Sequence, residues 1–193
     1  MRSFFSGIST ALFLFLSFFG NETPLHGQDF TASLKAGNGQ SQAYELYFGF
    51  SPNATDAYDP GIDIYHPPAP PPPSFDIALG WGTPLDRYFK QILLGDGSWT
   101  THRYEIQLQY DANQIIHMKW MNTGWKDLMS SCTLQDPFGG ATVNVDMLTD
   151  NQVMITNTAV TLLYLDVTPK WYPWEDLGES LAGAAGEPTL TGT

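Results

Sequence analysis

Residues Tyr104 to Tyr110 read YEIQLQY, and apolar and polar side chains alternate along this run. Because successive side chains of a β-strand point to opposite faces, the run predicts a strand with one buried face and one polar face. The run Ala141 to Met147, which reads ATVNVDM, has the same period of two. Half-buried strands of this kind are typical of antiparallel sheets.

Strand-like segments separated by short turns fill the chain outward from these two runs, over residues 28–169. Turn residues such as Gly37-Asn38-Gly39 and Gly95-Asp96-Gly97 separate them. The other predicted strands are Phe30–Ala36, Tyr44–Phe48, Phe75–Leu79, Tyr88–Leu94, Gln114–Trp120, Asp127–Leu134, Gln152–Thr156 and Val160–Val167. About ten short strands, one every 8–12 residues or so, predict an all-β domain, namely an antiparallel β-sandwich of the jelly-roll or immunoglobulin-like type.

One segment between the strands is rich in proline. Residues Asn53 to Phe75 read NATDAYDPGIDIYHPPAPPPPSF, so an acidic loop leads into the prolines of Pro67 to Pro73. Proline fixes φ and has no N–H donor, which excludes a helix interior or a central strand. We therefore expect a stiff, extended polyproline segment along one edge of the sandwich, where it would block the addition of another strand.

The two ends of the chain differ from the strand region. Met1 and Arg2 precede the apolar run Ala11 to Phe19, which is too short for a membrane span of about 20 residues and is typical of a secretory signal peptide. An N-terminal membrane anchor is the alternative. We predict a signal peptide over residues 1–27, the β-domain over 28–169, and a linker or C-terminal tail over 170–193. The protein is then secreted or on the cell surface, without a membrane span after cleavage.

Composition excludes several classes of partner. The chain has 20 Asp and Glu against 8 Lys and Arg, a formal net charge of −12. Nucleic-acid binding requires Lys and Arg at the phosphates, so nucleic acid is not expected as a partner, and neither is an anionic membrane surface. Cys132 is the only cysteine, so the domain has no internal disulfide and must be held by its apolar core.

The order of motifs resembles a known but uncharacterised family. An acidic loop, a proline segment, a Phe-Asp strand, an Ile-x-x-x-Trp strand and a Gly-Gly…Asp-Met pattern follow one another. The residues that match are Phe48 to Asp59, Gly61-Ile62-Asp63, Pro67 to Pro73, Phe75-Asp76, Ile116 to Trp120, Leu134 to Gly140, Val145-Asp146-Met147 and Leu165 to Pro169. This order, over roughly residues 40–169, resembles a β-sandwich module of large secreted bacterial proteins that often carry a type IX secretion sorting domain.

The resemblance implies a surface or secreted accessory module, whose partners are other extracellular protein domains or surface glycans. It implies no chemical activity. The chain reaches Thr193 without a sorting domain. We therefore expect either a partial chain or a short relative of the family.

The acidic loop is a candidate calcium site. Asp56, Asp59 and Asp63 supply carboxylate oxygens, which calcium prefers, and Gly61 allows a sharp turn between them. The spacing is not that of an EF-hand. The alternative is that Asn53, Thr55, Asp56 and Asp59 make hydrogen bonds within turns and that the loop holds no metal.

The aromatic residues are a second candidate site, for carbohydrate. Trp99 and Trp125 lie in or beside polar turns, and we expect them to be exposed and able to stack on sugar rings, whereas Trp120 should lie in the core. The alternative is that most aromatic side chains are core residues.

Catalytic residues are not evident. His66, His102 and His117 are not at metal-ligand spacing, and we expect His66 to be a surface loop residue and Cys132 a buried apolar residue. The sequence thus favours a non-enzymatic, secreted β-sandwich with a structural or adhesive role. A carbohydrate-binding module that uses exposed Trp or Tyr is the alternative, and a secreted hydrolase is a third interpretation.

Overall fold

The computed structural model describes residues 29–39, 43–80 and 86–170. The predicted signal peptide and nearly all of the predicted C-terminal tail lie outside these residues. The described chain consists of eleven strands and one four-residue helix: β1 Phe30–Gly37, β2 Ala43–Ser51, β3 Ile64–Tyr65, β4 Asp76–Gly80, β5 Arg87–Leu94, β6 His102–Gln109, β7 Ile116–Trp120, α1 Trp125–Leu128, β8 Met129–Gln135, β9 Asn144–Asp146, β10 Gln152–Ile155 and β11 Leu162–Pro169. The prediction of an all-β fold is confirmed.

All strands belong to one large sheet. Its order is β10-β7-β1-β2-β5-β4-β6-β11-β8-β9, with β3 paired to β5 beside this path. The named strands pair antiparallel, as expected, except β2 and β5, which run parallel with Tyr47 opposite Lys90 and Ser51 opposite Leu94. Parallel neighbours need a long crossover connection, and here the crossover contains the acidic loop, the proline segment and β4.

Strand β5 is the point at which the sheet divides. Lys90 pairs with Tyr47 of β2 and with Ile64 of β3, so these two strands lie on opposite edges of β5. Tyr88 pairs with Tyr65 of β3 and Leu79 of β4, so β4 lies on the same edge as β2. Strands β2 and β4 therefore follow one another along a single edge of β5. The sheet continues from β2 through β1 and β7 to β10 as its first half, and from β4 through β6, β11 and β8 to β9 as its second half.

The two halves enclose one apolar core. The ring of Tyr104, in β6, lies 5.7 Å from the ring of Phe48, in β2, and its hydroxyl donates a 2.6 Å hydrogen bond to the carbonyl oxygen of Gly49. Every second residue of β1, β2, β6 and β11 is buried in this core. Alternation in β6 is as predicted, with Tyr104, Ile106 and Leu108 inside.

Four predicted strands are shorter in the structure, and two of these include residues in turns or in a helix. Of Ala141 to Met147 only β9 is strand, although Val143 and Met147 are buried as the alternation predicts. The segment Asp127–Leu134 begins in α1 and continues as β8. Local hydrogen bonds, such as that from the N–H of Asp127 to the carbonyl oxygen of Gly124, compete with strand pairing at its start.

The proline segment connects β3 to β4 and is not extended throughout. The N–H of Ser74 donates to the carbonyl oxygen of Pro71 at 3.3 Å, so a turn ends the segment before β4. The side-chain amide of Gln109, in β6, donates to the carbonyl oxygens of Pro70 and Ser74 at 2.8 and 2.9 Å. The segment is therefore attached to the second half of the sheet.

Candidate functional site

The acidic loop between β2 and β3 is joined to β5 by its carboxylates. Asp63 is buried, and its Oδ1 accepts a hydrogen bond from the N–H of Ile92 at 2.8 Å. Its Oδ2 accepts one from the N–H of Asp59 at 2.9 Å. Oδ1 of Asp56 accepts one from the N–H of Leu94 at 3.3 Å. Burial raises the pKa of Asp63, and the N–H donors of Asp59 and Ile92 oppose that effect.

The third carboxylate of the loop, that of Asp59, accepts hydrogen bonds from the N–H and the hydroxyl of Thr55 at 2.5 and 3.1 Å. Over the described ranges, no group of three or more His, Cys, Asp or Glu side chains is arranged to hold a metal ion. The calcium site at Asp56, Asp59 and Asp63 stays a prediction. Hydrogen bonds within the loop are present for Asp59 and Asp63, whereas the carboxylate of Asp56 accepts its hydrogen bond from Leu94 of β5.

The two predicted sugar-stacking tryptophans differ in exposure. Trp99 has 70% of its surface exposed, as expected, but Trp125 has only 5% exposed, so its expected exposure is wrong. Gly124 adopts the left-handed conformation before α1, and the Trp125 ring then packs edge-on against Phe48 at 5.7 Å in the core. Trp120 is buried, as predicted. Trp99 and Trp125 therefore do not form one exposed surface.

Two tyrosines form an exposed aromatic surface instead, which we call the tyrosine surface: Tyr58 and Tyr65. The rings of Tyr58 and Tyr65 are stacked with their centroids 4.1 Å apart. Both lie against the buried ring of Tyr88, at 6.1 and 5.0 Å. Tyr58 and Tyr65 have 37% and 51% of their surface exposed, so the outer side of this surface contacts solvent.

A cleft of about 590 Å³ lies on the other side of the same segment, between the prolines and the sheet. Aromatic rings and proline rings form most of its wall, and His66 and Asp76 also line it. The ring of Tyr44 lies 5.7 Å from Phe75 and 6.2 Å from Phe89. A partly apolar cleft of this size, with a few convergent polar groups, is typical of small-molecule sites.

Beneath the cleft lies a buried polar cluster. The side chains of His66, Asp76 and Arg87 are each less than a tenth exposed. Arg87 Nη2 donates to Asp76 Oδ2, and Nε2 of His66 lies 3.5 Å from Asp76 Oδ1. Arg87 is further tied to the segment because its carbonyl oxygen accepts the N–H of His66 at 2.8 Å. The prediction that His66 is a surface residue is wrong.

The sequence analysis missed the tyrosine surface and the buried cluster. Tyr65 and His66 are neighbours in the chain, and the first is exposed whereas the second is buried. Alternation at the end of β3 is a signal that could have placed them on opposite sides. The pairing of His66 with Arg87 has no local signal, since 21 residues separate them.

Two side chains of chemically reactive types, Cys132 and Glu45, are held in structural contacts. Cys132 is buried, as predicted, and burial raises the pKa of its thiol, which disfavours the nucleophilic thiolate. Glu45 accepts a 3.0 Å hydrogen bond from the hydroxyl of Ser33 and lies 3.6 Å from Nζ of Lys35. Neither residue lines the proline cleft.

Comparison with known proteins gives no relative: no family model, no curated protein and no solved structure matches this chain. None of the helices in the described ranges is long and apolar enough to cross a membrane.

Proposed function

We propose that this chain is a secreted or cell-surface module with a structural or adhesive role in an extracellular bacterial protein, and that it is not an enzyme. Export rests on the signal-peptide pattern of residues 1–27. The accessory role rests on the resemblance of the motif order to the uncharacterised modules of secreted bacterial proteins. Its partners are other extracellular protein domains or surface glycans.

The observation that carries the adhesive role is the tyrosine surface. Tyr58 and Tyr65 are exposed, and each stacks against the other and against the buried Tyr88. Exposed aromatic side chains that are held in one arrangement lose little conformational entropy on binding, and Tyr is enriched in binding surfaces for this reason. The acidic loop supports this surface through the hydrogen bonds of Asp59 and Asp63.

The finer fold assignment belongs to the same proposal. The two halves of the sheet that meet at β5 and face each other through Tyr104 and Phe48 support a sandwich. In that arrangement the proline segment closes one margin of the sandwich, next to β3. A rigid domain of this kind suits a spacer or adhesive module, because it presents a fixed surface.

Adhesion of whole cells tests the proposal. The full chain, displayed on a bacterial surface, should retain cells under flow on glass coated with extracellular protein or polysaccharide. Tyr65→Ala should reduce this retention, and the matched variant Trp99→Ala, also at an exposed aromatic, should not. Equal retention by the two variants would refute the role of the tyrosine surface. Turnover of chromogenic esters or glycosides by the purified protein would refute the non-enzymatic assignment.

Carbohydrate binding is the second candidate function. It is favoured by the near-parallel rings of Tyr58 and Tyr65, which differ by 29° in plane and offer apolar ring surface at the solvent boundary. Such surface matches the C–H face of a sugar ring. Retention of the purified protein on insoluble cellulose, chitin or xylan, lost in Tyr65→Ala and kept in Phe138→Ala at another exposed aromatic, would support this function. No retention on any of the three would reject it for this surface.

A further inference from the structure

One row of side chains runs straight across the four strands in the first half of the sheet, and we call it the lysine row. Glu45 of β2 lies opposite Lys35 of β1, Lys35 lies opposite Lys119 of β7, and Lys119 lies opposite Gln152 of β10. Directly opposed residues of antiparallel strands project to the same face of the sheet, so these side chains are neighbours.

The lysine row places two like charges side by side. Lys35 and Lys119 are two of only eight Lys and Arg residues in the chain, and both are exposed. Like charges that lie directly opposite destabilise a strand pair. Glu45 compensates only one of them, because its Oε2 lies 3.6 Å from Nζ of Lys35. Lys119 has no ion-pair partner among the described residues.

The lysine row lines a pocket of about 500 Å³, whose wall also includes Met121 and Asn151. The amide side chains of Asn151 and Gln152, like the ammonium group of Lys119, have no hydrogen-bond partner in the part of the chain that the structure describes. An ammonium group only donates hydrogen bonds, and an amide NH₂ also donates. Three side chains with unpaired donors therefore line one exposed pocket.

The local charge selects the class of ligand. The two ammonium groups and the Glu45 carboxylate leave a single positive charge, and Glu45 is the only acidic side chain among the described residues that line the pocket. One monovalent anion neutralises this charge, whereas a divalent anion would leave a surplus negative charge beside Glu45. The rest of the net charge of −12 is screened beyond about 8 Å at physiological ionic strength, so the nearby lysines dominate.

The donors and the wall narrow the class further. The two oxygens of a carboxylate accept hydrogen bonds from ammonium and amide groups. The side chain of Met121 is 82% exposed, and an unbranched thioether adapts its shape to an apolar ligand. We propose that this pocket binds a small organic monocarboxylate, with its carboxylate on Lys35 and Lys119 and its apolar part on Met121. The lysine row shares no residue with the tyrosine surface, so this proposal does not depend on adhesion.

NMR titration of the full chain with benzoate and hexanoate tests the proposal, and the uncharged amides benzamide and hexanamide are the matched control ligands. At least one carboxylate should shift the amide signals of Lys119 and Gln152 and the methyl signal of Met121, and its amide should not. Lys119→Gln should weaken this binding by about two- to fivefold, the usual contribution of an exposed charge pair. Lys126→Gln removes the same charge from an exposed residue outside the pocket and should bind as the wild type does.

Four results would overturn the proposal. One is that neither carboxylate shifts these signals in the folded wild type. Another is that the amides shift them as strongly as the carboxylates, which would mean that charge is not recognised. The third is that Lys119→Gln, folded by circular dichroism, binds as tightly as the wild type. The last is that sulfate binds more tightly than both carboxylates, which would assign the pocket to divalent anions. Each of these results leaves adhesion through Tyr65 untouched.

Discussion

Asp136 is a single buried residue that organises the whole loop between β8 and β9. Its Oδ1 accepts hydrogen bonds from the N–H groups of Phe138 and Gly140 at 2.8 and 3.2 Å. Its Oδ2 accepts those of Thr142 and Val143, both at 2.6 Å. Burial acts to raise the pKa of Asp136, but these four donors outweigh it, so the pKa lies below its ordinary value.

The lowered pKa of Asp136 predicts a specific acid sensitivity. A carboxyl with a lower pKa in the folded chain stabilises the fold fully above its unfolded pKa of about 3.9, and this stability is lost as the pH falls towards the folded pKa. Below about pH 4, the urea midpoint of the wild type should fall more steeply than that of Asp136→Asn, which cannot ionise.

Asp136→Asn should also be less stable at neutral pH. The amide NH₂ of asparagine would replace one carboxylate oxygen, and an NH₂ group cannot accept hydrogen bonds from the N–H groups that face it, such as those of Thr142 and Val143. Exposed Asp150→Asn is the matched control and should follow the wild type. Parallel pH profiles of the wild type and Asp136→Asn would contradict the prediction.

At the scale of elements, the segment from the acidic loop to β4 carries both candidate sites. Its outer side holds the tyrosine surface, and its inner side holds the proline cleft. Hydrogen bonds from the sheet hold this segment in place. The N–H of Ile92 in β5 donates to the carboxylate of Asp63, and the side-chain amide of Gln109 in β6 donates to the carbonyl oxygen of Pro70. The geometry of both sites therefore depends on how firmly this segment is fixed.

Replacing prolines in this segment should destabilise the domain. Each compatible proline stabilises by about 0.4–1 kcal/mol, because it restricts the unfolded chain. The double variant Pro68→Ser/Pro70→Ser should therefore lose about 1–2 kcal/mol of unfolding free energy in urea. Ala69→Ser, between the two prolines, is the control. If the double variant unfolds at the wild-type midpoint, the segment acts only as a loose linker.

The calcium prediction is also tested at this scale. If Asp56, Asp59 and Asp63 bind calcium, millimolar calcium should raise the melting temperature, and a chelator should reverse the shift. The free energy of unfolding should rise by about 2.7 kcal/mol when the free calcium concentration is a hundred times the dissociation constant. Asp59→Ala should abolish the shift and Asp150→Ala should preserve it. An unchanged melting temperature in the wild type would leave these carboxylates with their hydrogen bonds within the loop and to β5 as their only role.

For the whole molecule, the order of the strands in the sheet determines which strands have neighbours on both edges and are therefore protected from local opening. The path ends at β10 and β9, which are short, whereas β1, β2, β6 and β11 have partners on both edges and bury alternate residues. The net charge of −12 acts over the whole surface and opposes compaction, so the core must provide the stability.

Hydrogen exchange should follow this order. Amides of β1, β2, β6 and β11 should exchange slowest, because they open only with the core, and those of β9 and β10 should exchange early by local opening. The measurement is amide exchange by mass spectrometry or NMR on the full chain. Protection in β10 equal to that in β6 would mean that the sheet is not open at that end.

Most strands could be predicted from the sequence, but neither candidate site could. Periods of two placed β6 and the buried residues Val143 and Met147 correctly, because alternation depends on near neighbours only. Trp125 was assigned to the surface because its neighbours in the chain are polar. Its burial depends on Phe48, 77 positions away, which a local pattern does not report.

The sequence by itself therefore determined the all-β class, the positions of most strands, and the burial of Cys132 and Trp120. These properties follow from side-chain alternation, turn residues and apolar character, which act locally. Only the tertiary structure decided the parallel pairing of β2 with β5, the division of the sheet, and the meeting of His66 with Asp76 and Arg87. Those features depend on contacts between segments far apart in the chain, and their free energy appears only when the segments meet.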